Sequence, residues 1–319
     1  GRLHKYFLIY FETFSAPTAD TLFLLVLSIL TLESVHSIRF LYQHFLSGIT
    51  TKSLNTFYHA YSYAKVDYSH FMNITAKVAL RMIPDSLATQ PIFLCVDDTM
   101  VAKTGTRFEN VSKLFDHAAH NGSNYLNGHC FVNIMLCIPV WKNDRVSYLS
   151  LPLGYRMWQK KESKLELAAS MIRQVMPEFQ EKKQAIILCD SWYTKQNLGS
   201  IVDEYQNLDL IGNARIDSVM YDPAPAHTGR RGRPAKHGKR LSVETDFAFS
   251  NEKIGDYYTE KRQAMVSSIF LGEDRLDGYE SGDRSSCVWR IYLGKVSAKN
   301  SLSDISSASQ IRSMVSTLS

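Results

Sequence analysis

Acidic residues follow two apolar segments of the chain, at the points where each segment ends. The segment 93–96 is followed by Asp97 and Asp98, and the apolar run 184–189 is followed by Asp190. A carboxylate beside a buried strand is costly unless a cation compensates its charge. Carboxylates bind hard divalent cations, and pairs of such cations catalyse phosphoryl transfer. The pattern therefore indicates a two-metal phosphoryl-transfer site, the alternative being that each aspartate only caps a turn.

The composition is that of a folded protein with a mild positive charge. The 319 residues carry a net charge of +5, with 45% hydrophobic and 21% charged residues. This length predicts two or three structural units, and the composition argues against general disorder. Five cysteines without a CxxC pair favour reduced thiols in a cytosolic protein. The apolar run 22–32 is too short to span a bilayer, so we expect a core helix there and no membrane partner.

The apolar pattern predicts helices first and then a mixed α/β layer. Residues 18–83 show helical spacing, and 48–65 could form a turn and a recognition-type helix, or simply part of a helical core. After Pro91, three strands, a helix, a strand, a helix and a strand are predicted. Their ranges are 91–97, 129–141, 146–158, 161–179, 184–190, 195–206 and 208–216. Such an order favours a central sheet with ligands at the strand ends.

A basic segment rich in glycine and proline lies beyond the last of these strands. Residues 223–240 contain six arginines and lysines and no acid. Extended segments of this kind can lie in the minor groove of DNA, so we expect phosphate contact; a solvated loop is the alternative. The candidate DNA-binding residues are Arg230, Arg231, Arg233, Lys236, Lys239 and Arg240.

Other kinds of site have weaker support. His117, His120 and His129 have no cysteine partner at ligand spacing, so hydrogen-bonding or substrate-contacting roles are favoured over zinc. The sequence has no GxSxG elbow for a serine hydrolase and no phosphate-binding glycine motif for a P-loop ATPase.

Five segments in order resemble the DDE transposases of bacterial insertion sequences, in the branch similar to insertion sequence 4. The similarity extends over roughly 90–296. The segments are VDDTMVAKTG at 96–105, LPLGYRMW at 151–158, SKLELAASMI at 163–172, LCDSWYTKQNL at 188–198 and GRRGRPAKHGKR at 229–240.

The resemblance implies a ribonuclease-H-like core: a mixed sheet flanked by helices, with an N-terminal helical domain and an insertion after the fifth core strand. In this family two aspartates and a later glutamate hold two Mg²⁺ (or Mn²⁺) ions for DNA strand cleavage and transfer. By motif position Asp98 matches the first aspartate, with Asp97 a less favoured substitute, and Asp190 matches the second. Lys103, Arg156 and Lys160 are candidate DNA contacts or solvated surface charges.

The resemblance also implies partners and a location. We expect double-stranded DNA, in particular the terminal repeats of a mobile element, as the substrate, and a homodimer in the DNA complex. A bacterial protein of this kind would be cytoplasmic and associated with the nucleoid. The expected domains are 1–88 (N-terminal helices), 89–216 (catalytic core), 217–286 (insertion) and 287–319 (incomplete C-terminal segment).

One departure from the family pattern concerns the third carboxylate. The family places its glutamate after the insertion, near an arginine and aromatic residues, but the only acid beyond Arg284 is Asp304, without these neighbours. This predicts a chain truncated or frame-shifted before that helix, with impaired strand cleavage. The alternative function is that of a non-catalytic DNA-binding protein or transposase remnant.

Overall fold

The computed structural model contains two compact units, Gly1–Val78 and Ala79–Ser319. The division falls within a helix, ahead of the predicted domain boundary at residue 88, and the other predicted boundaries stay predictions. The structure describes residues 2–105, 107–115, 125–179, 183–190, 192–194, 196–212, 219–222, 225–226, 229, 235, 238–242, 245–246, 248–254, 257–263 and 268–270.

The first unit consists of the predicted series of short helices. They are α1 (Arg2–Phe11), α2 (Ala16–Thr31), α3 (Ile38–Leu41), α4 (Ser47–Ile49), α5 (Leu54–Tyr63) and α6 (Tyr68–Arg81), and a π-helical turn, Tyr42–Leu46, joins α3 to α4. Helix α6 continues into the second unit. One apolar cluster of the first unit is formed by Leu25, Leu41, Leu46 and Phe57.

The predicted apolar helix at 22–32 lies in α2, but only one of its faces is buried. Leu25 is 7% exposed, whereas Ile29 and Leu30 are 48% and 61% exposed. No helix in the part of the chain that the structure describes is both long and apolar enough to cross a membrane.

The second unit is organised around a six-stranded mixed sheet. Its strands are β1 (Ile92–Ala102), β2 (Ser112–Phe115), β3 (Tyr125–Lys142), β4 (Arg145–Met157), β5 (Ala185–Cys189) and β6 (Leu208–Gly212). The order is β2-β3-β1-β5-β6, with β4 paired to β3. The strands β1 to β4 pair antiparallel, while β5 is parallel to both β1 and β6.

Helices occupy the crossovers between the parallel strands. Helix α7 (Lys164–Val175) links β4 to β5, and α8 (Gln196–Gly199) lies between β5 and β6. The predicted fold class, a ribonuclease-H-like mixed sheet flanked by helices, is confirmed. The four-residue strand β2 was not predicted, because its single buried residue, Leu114, gives no readable periodicity.

Local sequence signals fix the start of α7. Ser163 is its N-cap, and a capping box is formed with Glu166, whose carboxylate accepts a hydrogen bond from the Ser163 backbone N–H at 2.9 Å. Such a box satisfies two backbone donors that a helix start otherwise leaves unpaired. The helix buries an apolar face that includes Leu165, Ala168 and Ile172. Lys164 is consequently held in the first turn of α7, within hydrogen-bonding distance of Asp98 in β1.

Alternation along β1 sends its two aspartates to opposite faces of the sheet. Successive side chains of a strand point to opposite sides, so Asp97 shares the face of Phe93 and Cys95. Phe93 and Cys95 pack there with Cys137 and Leu188. Asp98 points to the other face, where it meets the first turn of α7.

The region after β6 contains short strands that the sequence analysis did not predict. They are β7 (Val219–Tyr221), β8 (Arg240–Leu241), β9 (Ala248–Ile254), β10 (Tyr257–Gln263) and β11 (Ser268–Phe270). They form a pair, β10-β9, and a three-stranded sheet, β11-β7-β8. The predicted C-terminal segment 287–319 lies outside the described residues.

Candidate metal centre

The sheet register brings Asp97, inside β1, close to the end of β5, which Asp190 follows. In the parallel pair β1/β5, Val96 is the partner of Cys189, and each strand then continues directly into an aspartate. Partners in a parallel ladder present their side chains to the same face. This register places Asp97 of β1 near Asp190, which follows the last residue of β5.

Electrostatics at Asp97 supports this proximity. Burial is the main cause that raises the pKa of Asp97 to about 6, and repulsion from the Asp98 and Asp190 carboxylates adds to it. The Asp98 backbone N–H, which donates to Asp97 Oδ1 at 2.8 Å, and the Lys164 ammonium act in the opposite direction. Asp97 is thus a carboxylate whose ionised form the surrounding protein does not fully compensate.

Asp98, by contrast, has a complete set of partners. Its Oδ2 accepts from Lys164 Nζ at 2.8 Å and from Cys130 Sγ at 3.3 Å, and its Oδ1 accepts from the Tyr193 hydroxyl at 3.1 Å. The side chains of Asp98 and Lys164 are 16% and 19% exposed. Burial and the Asp98 charge together raise the pKa of the Cys130 thiol to about 12, and they also raise the pKa of the Tyr193 phenol, so both groups remain protonated donors. Asp98 is therefore the anion of a closed ion-pair network.

Asp190 shapes the turn that follows β5. Its Oδ1 accepts from the backbone N–H groups of Trp192 at 3.0 Å and Tyr193 at 3.2 Å, and its carbonyl accepts from Thr194 Oγ1 at 3.0 Å. Asp190 itself is exposed. Gly212 in β6 supports this turn, because a Cβ added there would lie 2.6 Å from Thr194 Cγ2.

The donor chemistry of this strand end fits a hard divalent cation in part. Asp97 and Asp190 supply carboxylate oxygens, the ligands that Mg²⁺ and Mn²⁺ prefer, and a cation between them would relieve the repulsion that raises the pKa of Asp97. Within the described residues, however, no group of three or more His, Cys, Asp or Glu side chains could hold a metal ion.

Two functional candidates near this site were missed from the sequence. Asn133 of β3 is the antiparallel partner of Asp97, is only 4% exposed, and donates to Thr99 Oγ1 at 3.4 Å. Lys164 was quoted only as part of a family segment. A polar residue inside the apolar run 129–141 is a signal that could have identified Asn133, since buried amides are retained where they have partners.

The candidate DNA contacts of the sequence analysis divide into several groups. Arg230, Arg231, Arg233 and Lys236 lie outside the described residues, as do His117 and His120. Lys239 forms an ion pair with Asp246 at 2.6 Å, and Arg240 is an exposed residue of β8.

The remaining candidates have different surroundings. Arg156 joins β4 to α7 through Ser170, at 3.4 Å, and Gln174. Lys160 is exposed, with φ at 60°. Lys103 Nζ lies 5.7 Å from the centre of the Phe108 ring. His129 Nε2 forms a hydrogen bond with the Glu109 carbonyl oxygen at 2.8 Å.

Comparison with known proteins decides the family. The profile described as DDE superfamily endonuclease matches residues 11–265. The chain belongs to the DDE superfamily endonucleases. The match covers the first unit from the end of α1 onward, the mixed sheet with both candidate metal carboxylates, and the strands β7 to β10. No curated protein matches the chain.

Among solved structures, a chain of the Mos1 strand transfer complex is similar to this DDE endonuclease at 11% identity and a TM-score of 0.21. The similarity covers 62% of this chain and 58% of that chain. A TM-score this low leaves the functional assignment to the family match and to the geometry of the site.

Proposed function

We propose that this DDE endonuclease cleaves and joins DNA strands by metal-dependent phosphoryl transfer, as a transposase of the insertion-sequence-4-like branch. The observation that carries the proposal is the position of Asp97 and Asp190, each directly after the Val96–Cys189 partners of the parallel strands β1 and β5, in a chain of the DDE family. Bound Mg²⁺ or Mn²⁺ would supply activation of the attacking hydroxyl and stabilisation of the leaving oxygen.

Within this proposal Asp97 and Asp190 are the metal ligands and Asp98 is a positioning residue. The sequence favoured Asp98 as the first ligand, but its carboxylate already has the Lys164 ammonium, the Cys130 thiol and the Tyr193 hydroxyl as partners. Replacing these partners by a metal would leave a half-buried ammonium without its anion, which is costly. Asp97 differs from Asp98, because burial and the neighbouring carboxylates disfavour its ionised form, which a bound cation would stabilise.

The chain's own residues then have distinct tasks. Asp97 and Asp190 hold the cation, the Asp98–Lys164 pair joins β1 to the first turn of α7, and Asn133 supports the strand position of Asp97. The substrate would be double-stranded DNA carrying the terminal repeats of a mobile element, bound by a homodimer at the bacterial nucleoid. The basic segment 223–240 supplies phosphate contacts.

The test is nicking of supercoiled plasmid DNA by the 319-residue chain with Mg²⁺ or Mn²⁺. Nicking that requires metal and disappears in Asp97→Asn and Asp190→Asn, while plasmid binding survives, would support the proposal. We expect the rate to be low, because the family glutamate has no counterpart at its expected pattern in this sequence. Nicking that persists at an equal rate in both variants would refute the assignment.

A second candidate function is DNA binding without cleavage. It is favoured by the absence of any group of three or more potential metal-ligating side chains among the described residues. In the same assay this function gives plasmid binding that is insensitive to metal, with no nicking by the wild-type chain at any Mn²⁺ concentration.

A further inference from the structure

Trp192 is a large aromatic side chain held in place beside a candidate metal carboxylate. It lies two residues after Asp190, and its backbone N–H donates to Asp190 Oδ1 at 3.0 Å. Its side chain is nevertheless 38% exposed. A ring anchored by its own backbone and partly open to solvent presents a surface to whatever molecule reaches Asp190.

The other contacts of the Trp192 ring restrict its orientation. The Tyr193 ring meets it edge-on, with centroids 4.9 Å apart and an interplanar angle of 72°. Lys164 Nζ lies 4.8 Å from the Trp192 ring centre and 5.8 Å from that of Trp158. Because Lys164 is also paired with Asp98, the cation that faces Trp192 has a fixed position. Trp192 is therefore a pre-oriented aromatic platform with a positive charge next to it.

We propose that Trp192 stacks on the nucleobase next to the phosphate that Asp97 and Asp190 act upon. Two residues of chain span at most about 7 Å, so the ring of Trp192 is within reach of the nucleotide flanking that phosphate. Stacking on aromatic side chains is a general way to hold unpaired bases, and it tolerates any base. The nearby ammonium favours the phosphate of the same nucleotide. This inference rests on the proposed function and adds the nucleobase as a ligand of the site.

The experiment uses the 319-residue chain and a short nicked duplex with 2-aminopurine at the base beside the nick, in the presence of Ca²⁺. Stacking quenches 2-aminopurine fluorescence, and anisotropy of an end label gives the affinity independently. We expect quenching by wild type and by Trp192→Phe, which keeps an aromatic face. Trp192→Ala and Trp192→Leu should lose the quenching and bind about 5- to 150-fold more weakly, the range expected for one lost base stack.

Trp141 provides a matched control within the same unit. Trp141 is 50% exposed near the hairpin end of β3, eight residues after Asn133, the partner of Asp97. Its Nε1 donates to Ser86 Oγ at 3.0 Å. Trp141→Ala removes a more exposed tryptophan without touching the site, so its quenching and affinity should equal those of wild type. Circular dichroism of each variant verifies folding, and Trp192→Phe covers the case in which Trp192→Ala fails to fold.

The outcomes separate this inference from the proposed function. Unchanged quenching and affinity in folded Trp192→Leu, with wild type still binding the duplex, would overturn the stacking role alone. A wild-type chain that neither binds the duplex nor nicks plasmid would overturn the proposed function, and the stacking role with it.

Discussion

Replacing Asp97 with asparagine should stabilise the folded protein at neutral pH. The pKa of Asp97 rises from 3.8 to about 6 in the fold, so the folded state holds the proton more tightly than the unfolded chain does. The carboxyl group therefore favours folding only while it is protonated, and this contribution is lost as the pH rises through about 6. Asparagine has nearly the same shape, carries no charge, and can still accept the hydrogen bond from the Asp98 backbone N–H.

The size of this effect follows from the pKa change. Each tenfold change in an acid dissociation constant is worth about 1.4 kcal/mol, which gives an upper bound of roughly 3 kcal/mol. Asp97 is only half-buried, and solvent screening reduces the expected gain in the free energy of unfolding to about 1–2 kcal/mol at pH 8. At pH 5, between the unfolded and folded pKa values, about half of the gain should remain.

Urea unfolding in EDTA, followed by circular dichroism between pH 5 and pH 8, measures this difference. Asp98→Asn is the matched control, because it is the same substitution at the next residue but removes the anion that pairs with Lys164. We expect it to lower the free energy of unfolding by about 1–2 kcal/mol. An Asp97→Asn variant less stable than wild type at pH 8, or an Asp98→Asn variant more stable, would refute this reading of the two carboxylates.

Three further substitutions test the surroundings of the site. Lys164→Met should cost about 2 kcal/mol in urea unfolding at pH 7, because it leaves the poorly exposed Asp98 charge without its cation; an unchanged midpoint would contradict the ion-pair network. Gly212→Ala should weaken any Mn²⁺ binding, measured by electron paramagnetic resonance, since the new Cβ displaces Thr194 and with it the Asp190 turn; unaltered binding would show that the turn adapts. Arg156→Ala should lower the free energy of unfolding by about 1–2 kcal/mol, because Arg156 joins β4 to α7, and should leave DNA affinity equal to that of wild type. Lys160→Ala is the control at an exposed lysine. A loss of DNA affinity in Arg156→Ala alone would restore Arg156 as a DNA contact.

The sequence was sufficient to predict the mixed sheet and the acid that follows β5, but the predicted end of the first strand at residue 97 is wrong, because β1 continues through Asp97 and Asp98 to Ala102 in its pairing with β3. The runs around β1, β3, β4 and β5 are long and apolar, so their periodicity is readable without a structure. The sequence alone could not decide between Asp97 and Asp98 as the first metal ligand. Adjacent residues of a strand face opposite sides, and only the register with β5 relates either of them to Asp190.

Long-range contacts account for what else could not be predicted. The pairing of Asp98 with Lys164 joins residues 66 positions apart in the chain, and no local pattern encodes it. The strands β7 and β8 are only 3 and 2 residues long, too short to show a period, and their pairing depends on partners distant in sequence. Most of the basic segment lies outside the described residues, so its role as a DNA contact stays a prediction.

Binding of Mn²⁺ to the wild-type chain and to three single variants tests the proposed metal centre most directly. Electron paramagnetic resonance of free and bound Mn²⁺ at pH 8 measures affinity without requiring catalysis. If Asp97 and Asp190 hold the metal, binding is lost in Asp97→Asn and Asp190→Asn and kept in Asp98→Asn. Binding that is lost in Asp98→Asn but kept in Asp97→Asn would contradict the assignment and return the first-ligand role to Asp98.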